Sequence, residues 1–113
     1  MAKGLEIKEF TGRGYKSVHV FKEWRVAFLT QDEEYTKNTY IERHMESDEV
    51  FVLLKGKATL FIGKEREPVE MEINKIYNVT AGTWHSIECD AEASVLIVEN
   101  EDTVKENSEY MDL

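Results

Sequence analysis

The sequence predicts an all-β protein with an antiparallel sandwich or barrel, and three observations support this. Apolar and polar residues alternate with a period of two in several segments. Turn-forming residues separate these segments at short intervals, as in Gly63-Lys64-Glu65. The chain of 113 residues has one proline, Pro68, at the start of a predicted strand, where a missing N–H is tolerated. Many short strands with close turns are typical of this fold class.

The predicted strands are rich in β-branched and aromatic residues and follow one another from residue 24 to residue 98. They span residues 24–29, 39–44, 50–54, 57–62, 69–74, 76–79, 84–89 and 95–98. Segments 50–54 and 95–98 are continuously apolar, a pattern typical of strands buried on both faces. Thr103 and Glu106 then form a capping-box pattern, which predicts a short C-terminal helix near 104–109, with a frayed acidic tail as the alternative.

Length and composition predict one domain over residues 1–113. Hydrophobic residues make up 42% of the chain, which is enough for a packed core and argues against intrinsic disorder. The net charge of −9 argues against nucleic acid and anionic membrane surfaces as partners, because both need clustered Lys and Arg. The longest apolar run is far shorter than the roughly 20 residues of a membrane span, and the N-terminus lacks a signal-peptide pattern. With a single cysteine, Cys89, the sequence predicts a cytoplasmic protein.

Two of the three histidines, His44 and His85, lie in strand-like segments that also carry acids. Since alternate residues of a strand share a face, Glu42 faces with His44, and Cys89 faces with His85. Two imidazoles and carboxylates that converge inside a barrel form a site for a divalent metal. The alternative is that His85 is a hydrogen-bonded core histidine. The third histidine, His19, is predicted to lie at the surface or in an interface.

The segment from Glu42 to Gly56 resembles the first motif of the cupin superfamily. That motif is a histidine, any residue, a second histidine, three or four residues, a glutamate, six residues and a glycine. Glu49, six residues and Gly56 match in full, and counting back from Glu49 makes His44 the second histidine. Glu42 then takes the place of the first histidine.

The second cupin motif is similar to the segment that ends at Cys89. Gly82 and His85 match its later glycine and its histidine. The chain departs from the motif at three positions, where the family has glycine, proline and asparagine: Asn74, Thr80 and Cys89. The two motifs cover residues 42–89, so the resemblance implies a small single-domain cupin with degenerate motifs and a jelly-roll β-barrel.

Carried over residue by residue, the resemblance implies a metal site formed by four side chains: Glu42, His44, Glu49 and His85. A second register would replace Glu42 with Glu46, but it shortens the family's interval before Glu49. Two imidazoles and two carboxylates suit Mn, Fe, Ni or Zn. Cupins often dimerise by packing sheets or exchanging N-terminal strands, so the resemblance also implies a homodimer with residues 5–20 in its interface.

The function predicted from these residues is the binding of a small molecule near a divalent metal, with catalysis on a sugar or an oxoacid as an extension. Tyr40, Tyr77 and Cys89 are predicted to line the substrate pocket, and Glu42 or Tyr40 is the candidate for proton transfer. A metal-free sugar- or effector-binding module and a structural domain with a filled barrel are the alternatives. Only Glu42 and Glu49 among the acids are predicted to face inward.

Overall fold

The structure is a computed structural model that describes residues 3–32, 40–101 and 107–112. The described residues form ten β-strands. These are β1 (Gly14–Phe21), β2 (Trp24–Thr30), β3 (Tyr40–His44), β4 (Glu49–Lys55), β5 (Ala58–Ile62), β6 (Glu67–Glu70), β7 (Tyr77–Val79), β8 (His85–Cys89), β9 (Ser94–Asn100) and β10 (Ser108–Asp112).

The strands build two five-stranded sheets whose named strands all pair antiparallel. The first sheet has the order β1-β2-β9-β4-β7 and the second has the order β10-β3-β8-β5-β6. From β3 onward the chain crosses between the sheets at almost every connection, which is the topology of a jelly roll. Within the described part of the chain, no strand pairs across the two sheets to close them into one hydrogen-bonded cylinder. The predicted all-β antiparallel jelly roll is confirmed.

The core lies between the facing surfaces of the two sheets. Alternate residues of each central strand point into it, as the period-two pattern predicts. The fully buried side chains with the largest volumes are Leu29, Ile41, Leu60 and Val95. Val95 and Leu53 are cross-strand partners on the first sheet, and Leu60 pairs with Ile87 on the second. One end of this interior, where β3, β4, β8 and β9 meet, is polar instead of apolar.

Two strand predictions differ from the structure. The strand β1 lies in a segment for which the sequence pattern predicted none, and it pairs along its length with β2. The segment 69–74 was expected to be one strand, but β6 ends at Glu70. Met71 is buried, whereas Ile73 is exposed and makes only an isolated bridge to Leu53.

The predicted C-terminal helix or tail is wrong over the part that the structure describes. Ser108–Asp112 is the strand β10, which pairs with β3 in the register Ser108↔His44 to Asp112↔Tyr40. An open edge of β3 offers a full ladder of hydrogen bonds, whereas a six-residue helix is too short to be stable alone. The capping-box residues 102–106 lie outside the described residues. In the described ranges, no helix has the length and hydrophobicity needed to cross a membrane.

Candidate metal centre

Strand geometry brings the four predicted ligands together at the polar end of the interior. His44 is the last residue of β3 and Glu49 is the first residue of β4, so a four-residue turn turns both side chains back toward each other. Glu42 on β3 is the cross-strand partner of His85, the first residue of β8. The site therefore combines two strands of the second sheet with one strand of the first.

The side-chain atoms converge on Glu49. Its Oε1 atom lies 3.1 Å from His85 Nε2 and 3.2 Å from His44 Nε2. Glu42 Oε1 lies 3.6 Å from His44 Nε2 and 4.0 Å from His85 Nε2. The two imidazole rings meet edge to face, with centroids 5.3 Å apart. Glu42 is the most open member, with 27% of its side chain exposed, whereas the other three are buried.

The outer ring nitrogen of each histidine already has a partner. His85 Nδ1 lies 2.9 Å from the backbone carbonyl oxygen of Thr83, so this nitrogen carries a proton and donates it. His44 Nδ1 lies 2.7 Å from the hydroxyl of Ser108 on β10. These contacts orient both rings and direct their Nε2 atoms at Glu49. Metal-bound histidines typically have an outer partner of this kind.

The charges of the cluster compensate one another. Burial alone would lower the pKa of His44, but hydrogen bonds with Glu42 and Glu49 outweigh it and raise the pKa to about 10. Burial also opposes the charged form of His85, yet its hydrogen bond with Glu49 raises its pKa. Burial would raise the pKa of Glu49, but hydrogen bonds from both imidazoles hold it well below its ordinary value. These shifts favour the charged forms of both imidazoles around an ionised Glu49.

A further acid, Glu99, lies beside this cluster. Glu99 is buried and is the cross-strand partner of Glu49, and their carboxylates approach closely enough to form a group of possible ligands with His44. Its Oε1 accepts hydrogen bonds from Tyr15 Oη at 2.6 Å and from Arg25 Nη2 at 2.8 Å. Burial and the neighbouring charge of Glu49 raise the pKa of Glu99.

The sequence-based assignment of inward-facing acids was wrong for Glu99. The sequence does contain a signal for it, because Val95, Ile97 and Glu99 continue one alternating series along β9 and all three are buried. The predicted strand ends at Val98, one residue before Glu99. The partners Tyr15 and Arg25 were missed with it, since β1 was not predicted and no local pattern links them to residue 99.

The donor spacing fits one divalent ion. Two ligands that are each about 2.1 Å from an ion lie about 3.0 Å apart at an octahedral angle and about 3.4 Å apart at a tetrahedral angle. The distances of 3.1 and 3.2 Å from Glu49 Oε1 to the two Nε2 atoms fall in this range. Glu42 lies somewhat farther out, and its donor atom still lies within 4.8 Å of those of both histidines. The possible ligands form two overlapping groups, Glu42 with His44 and His85, and His44 with Glu49 and Glu99.

A cavity of about 350 Å³ adjoins this end of the interior. Its walls come from β5, β6, β7 and the turn that follows β7. The lining residues are Leu60, Ile62, Val69, Tyr77, Asn78, Val79, Thr80 and Thr83. Two of them are direct strand partners of cluster residues, since Ile62 pairs with His85 and Val79 pairs with Glu49. The cavity and the His/Glu cluster are thus linked through these two strand pairs, although no cluster residue lines the cavity.

The residues predicted to line a substrate pocket lie in three different places. Tyr77 lines the cavity, and its hydroxyl accepts a hydrogen bond from the backbone N–H of Glu72. Tyr40 packs against Tyr110 of β10, with ring centroids 5.9 Å apart. Cys89 belongs to the hydrophobic core, where burial raises the pKa of its thiol to about 12.

Two other residues named in the sequence analysis lie away from the cluster. Glu46, the ligand of the second register, is exposed and accepts a hydrogen bond from the side-chain amide of Asn107. His19 lies on β1, next to Lys8 and Trp24.

No family model and no curated protein matches the chain. Solved structures do match it. A variant of Streptomyces PAC13 with uridine has a TM-score of 0.71 at 12% identity, covering 100% of this chain and 93% of that chain. A cupin-2 domain protein from Shewanella frigidimarina has a TM-score of 0.64 at 14% identity, with 81% and 85% covered. An RmlC-like cupin with a double-stranded β-helix fold from Methanocaldococcus jannaschii has a TM-score of 0.67 at 12% identity, with 88% and 93% covered. The chain has the cupin fold.

Proposed function

We propose that this protein binds a divalent metal ion and, beside it, a small oxygen-bearing molecule. One observation carries the proposal: two buried imidazoles direct their Nε2 atoms at the same carboxylate oxygen, and both outer nitrogens are occupied. His44, Glu49 and His85 would hold the ion, and Glu42 would complete the set from the more open side. Such mixed nitrogen and oxygen donors suit Mn, Fe, Ni or Zn. A structural neighbour is the FeII form of HppE, with a TM-score of 0.61 at 13% identity.

Different residues of this chain would have different roles at such a site. A bound metal supplies Lewis-acid polarisation of an oxygen atom of the ligand. The Thr83 carbonyl and the Ser108 hydroxyl fix the two imidazoles in the orientation that binding requires. Glu42, which is the ligand nearest to solvent, is the side chain that would exchange a proton with the bound molecule.

The cavity lined by Thr80 and Thr83 is the proposed ligand site. Apolar walls from Leu60, Ile62 and Val69 face hydroxyl groups of Thr80 and Thr83, an arrangement that suits a compact molecule with both apolar and polar surfaces. We test sugar-bearing compounds first, because a neighbour of the same fold, Pac13, is a nucleoside dehydratase that was solved with uridine. Oxoacids are the second class.

A metal-free binding module is the second candidate, and the charge balance of the cluster favours it. The raised pKa values of His44 and His85 favour positive imidazoles, which give the buried Glu49 carboxylate its counter-charge without a metal. In this case the cluster would present charged hydrogen-bond donors and acceptors to the ligand directly.

Elemental analysis of protein purified without an affinity tag separates these two functions. We expect about one equivalent of a transition metal per chain, which His44→Ala and His85→Ala each remove. His19→Ala is the matched control, because His19 lies on β1 away from the cluster, and we expect it to keep the full metal content. Metal-free wild-type protein that also fails to take up Zn, Mn, Ni or Fe(II) would exclude the first function and leave the second.

A further inference from the structure

The buried acid Glu99 lies outside both sequence motifs, beyond Cys89, and still belongs to the polar end of the interior. On the inner face of the first sheet it stands between two strand partners, Arg25 of β2 and Glu49 of β4. Only 3% of its side chain is exposed, compared with 27% for Glu42. Glu99 is therefore more enclosed than Glu42, which the motifs imply as a ligand.

The hydrogen bonds that Glu99 accepts are distributed unevenly over its two oxygens. Tyr15 Oη donates to Oε1 at 2.6 Å, and Arg25 donates to the same atom from Nε at 3.1 Å and from Nη2 at 2.8 Å. An arginine that serves only as the counter-ion of a carboxylate frequently binds it in a bidentate way, with one bond to each oxygen. Here all three hydrogen bonds from β1 and β2 end on one oxygen, so Oε2 stays available to a different partner.

The carboxylate of Glu99 faces a second set of ligand atoms. One oxygen of Glu99, one oxygen of Glu49 and one nitrogen of His44 all lie within 4.8 Å of one another, and all three residues are buried. Two carboxylates held this close inside a protein repel each other, and a cation between them replaces the repulsion with attraction. Imidazole nitrogen and carboxylate oxygen are also donors that bind divalent first-row ions. This inner group therefore has the spacing and the donor types of a metal site.

Arg25 makes this additional donor compatible with the charge of the site. With both imidazoles neutral, Glu42 and Glu49 carry two negative charges, which one divalent ion balances. Glu99 would add a third negative charge to a buried site, but its ion pair with Arg25 at 2.8 Å cancels that charge. Carboxylates that bind metals are commonly hydrogen-bonded by outer partners, and Tyr15 and Arg25 provide this contact. Glu99 thus offers an oxygen ligand without excess charge.

We infer that Glu99 is a fifth ligand of the proposed metal centre and that it favours an ion with six ligands, such as Mn²⁺, over Zn²⁺. The inference rests on the proposed function, because it needs an ion at His44 and Glu49. Zn²⁺ typically takes four ligands in a tetrahedral arrangement, and the four motif positions already supply that number. Mn²⁺ prefers octahedral coordination and oxygen donors, so a further carboxylate oxygen strengthens its binding more.

A purely structural role for Glu99 is the alternative. In that case the acid would only neutralise Arg25 and join β9 to β1 and β2 through its hydrogen bonds. Its removal would then lower the stability of the fold and weaken the binding of every ion by the same factor. The ratio of the Mn²⁺ affinity to the Zn²⁺ affinity separates the two roles, because only a ligand changes that ratio.

Glu99→Gln tests the inference in the full chain. The amide keeps the size of the side chain, and its carbonyl oxygen still accepts hydrogen bonds from Tyr15 and Arg25, but the carboxylate ligand is lost. We expect the Kd of Mn²⁺ to rise about tenfold or more, since loss of even an outer contact to a metal site typically costs about 10- to 100-fold. The Kd of Zn²⁺ should change less than about threefold. The EPR signal of free Mn²⁺ and competition with a fluorescent zinc chelator measure the two values.

Glu101→Gln is the matched control. Glu101 follows β9 and is exposed, so this change removes the same charge without touching the inner group, and both affinities should equal those of the wild type. If Glu99→Gln does not fold, a double variant with Glu99→Gln and Arg25→Met removes the acid together with its counter-ion, which avoids an unpaired buried charge. This variant should fold and show the same loss of Mn²⁺ affinity.

Three results would overturn the inference: a Mn²⁺ affinity of Glu99→Gln within about twofold of the wild type, equal losses for Mn²⁺ and Zn²⁺, or a wild-type protein that binds Zn²⁺ but not Mn²⁺. An equal loss of Mn²⁺ affinity in Glu101→Gln would overturn it as well, because the effect would then come from net charge. In each of these cases the wild type still binds a metal, so the proposed function stands. A wild-type protein that binds no metal would instead refute the proposed metal site, and the inference with it.

Discussion

The hydroxyl of Ser108 offers the sharpest test of how the fold orients the candidate metal centre. Ser108 lies on β10, 64 residues from His44 in the sequence, and its Oγ is 2.7 Å from His44 Nδ1. Ser108→Ala removes this oxygen and leaves every proposed ligand in place. The variant loses the hydroxyl contact that fixes the ring orientation of His44, and a ring that is free to turn presents Nε2 to a metal ion less often.

The expected loss follows from the energy of the contact. A hydrogen bond from a buried imidazole contributes about 1–2 kcal/mol, and loss of an outer-shell partner typically weakens metal binding 10- to 100-fold. A tenfold change in affinity corresponds to about 1.4 kcal/mol. The energy of the hydrogen bond therefore matches the lower end of the affinity loss, which is tenfold. We therefore expect Ser108→Ala to weaken the binding of Zn²⁺ about tenfold, with no change in stoichiometry.

Competition with a fluorescent zinc chelator at pH 7.5 measures this change. Ser94→Ala on β9 is the control, because Ser94 lies opposite Thr30 at the far end of the first sheet. The control should bind Zn²⁺ like the wild type. A Ser108→Ala protein with affinity within twofold of the wild type would refute the positioning role of this hydroxyl. Equal losses of zinc affinity in Ser108→Ala and Ser94→Ala would show that the substitutions act through general stability and not through the orientation of His44.

Three further predictions concern a buried acid, the cysteine and a glycine. Because the pKa of Glu99 is raised in the folded state, its stabilising contribution is present at low pH and is lost as pH rises through that pKa. Glu99→Gln should therefore make the melting temperature of chelator-treated protein fall less between pH 4.5 and pH 8 than that of the wild type, and an unchanged pH dependence would contradict this. The raised pKa of Cys89 predicts that its thiol reacts with Ellman's reagent at pH 8 only after denaturation, so rapid labelling of native protein would count against it. Gly56 has φ of 74°, and a Cβ would lie 2.6 Å from backbone of the turn before β9, so Gly56→Ala should cost several kcal/mol in urea unfolding. Gly82→Ala, with φ of 82° and open space, should cost about 1 kcal/mol, and equal losses would exclude the clash as the cause.

Most strands were predictable because their signal is local. Alternation and short apolar runs located β2, β4, β5, β8 and β9 to within one or two residues at each end. The strands β1 and β10 lie at sheet edges, where one neighbour and partial exposure relax the demand for an apolar pattern. Whether such a segment forms a strand depends on a pairing partner that is distant in the sequence, and a local pattern such as a capping box does not reveal it.

The candidate site was also predictable only in part. Spacing and resemblance predicted Glu42, His44, Glu49 and His85, and the structure places their side chains within one cluster. Glu99 was missed, although the alternation along β9 pointed to it. Its contact with Glu49 follows from the register between β9 and β4, which is a property of the assembled sheet.

The sequence by itself determined the fold class and the apolar character of both sides of β4 and β9, because side-chain alternation along a single strand is a local pattern. The inward direction of Glu42, His44, Glu49 and His85 was implied by the resemblance to the cupin motifs. Only the tertiary structure decided that Ser108 and Thr83 orient the imidazoles and that Glu99 lies beside Glu49 with Tyr15 and Arg25. These features arise where strands that are far apart in the chain pair and pack. The contacts that stabilise them join distant segments, so no single segment predicts them.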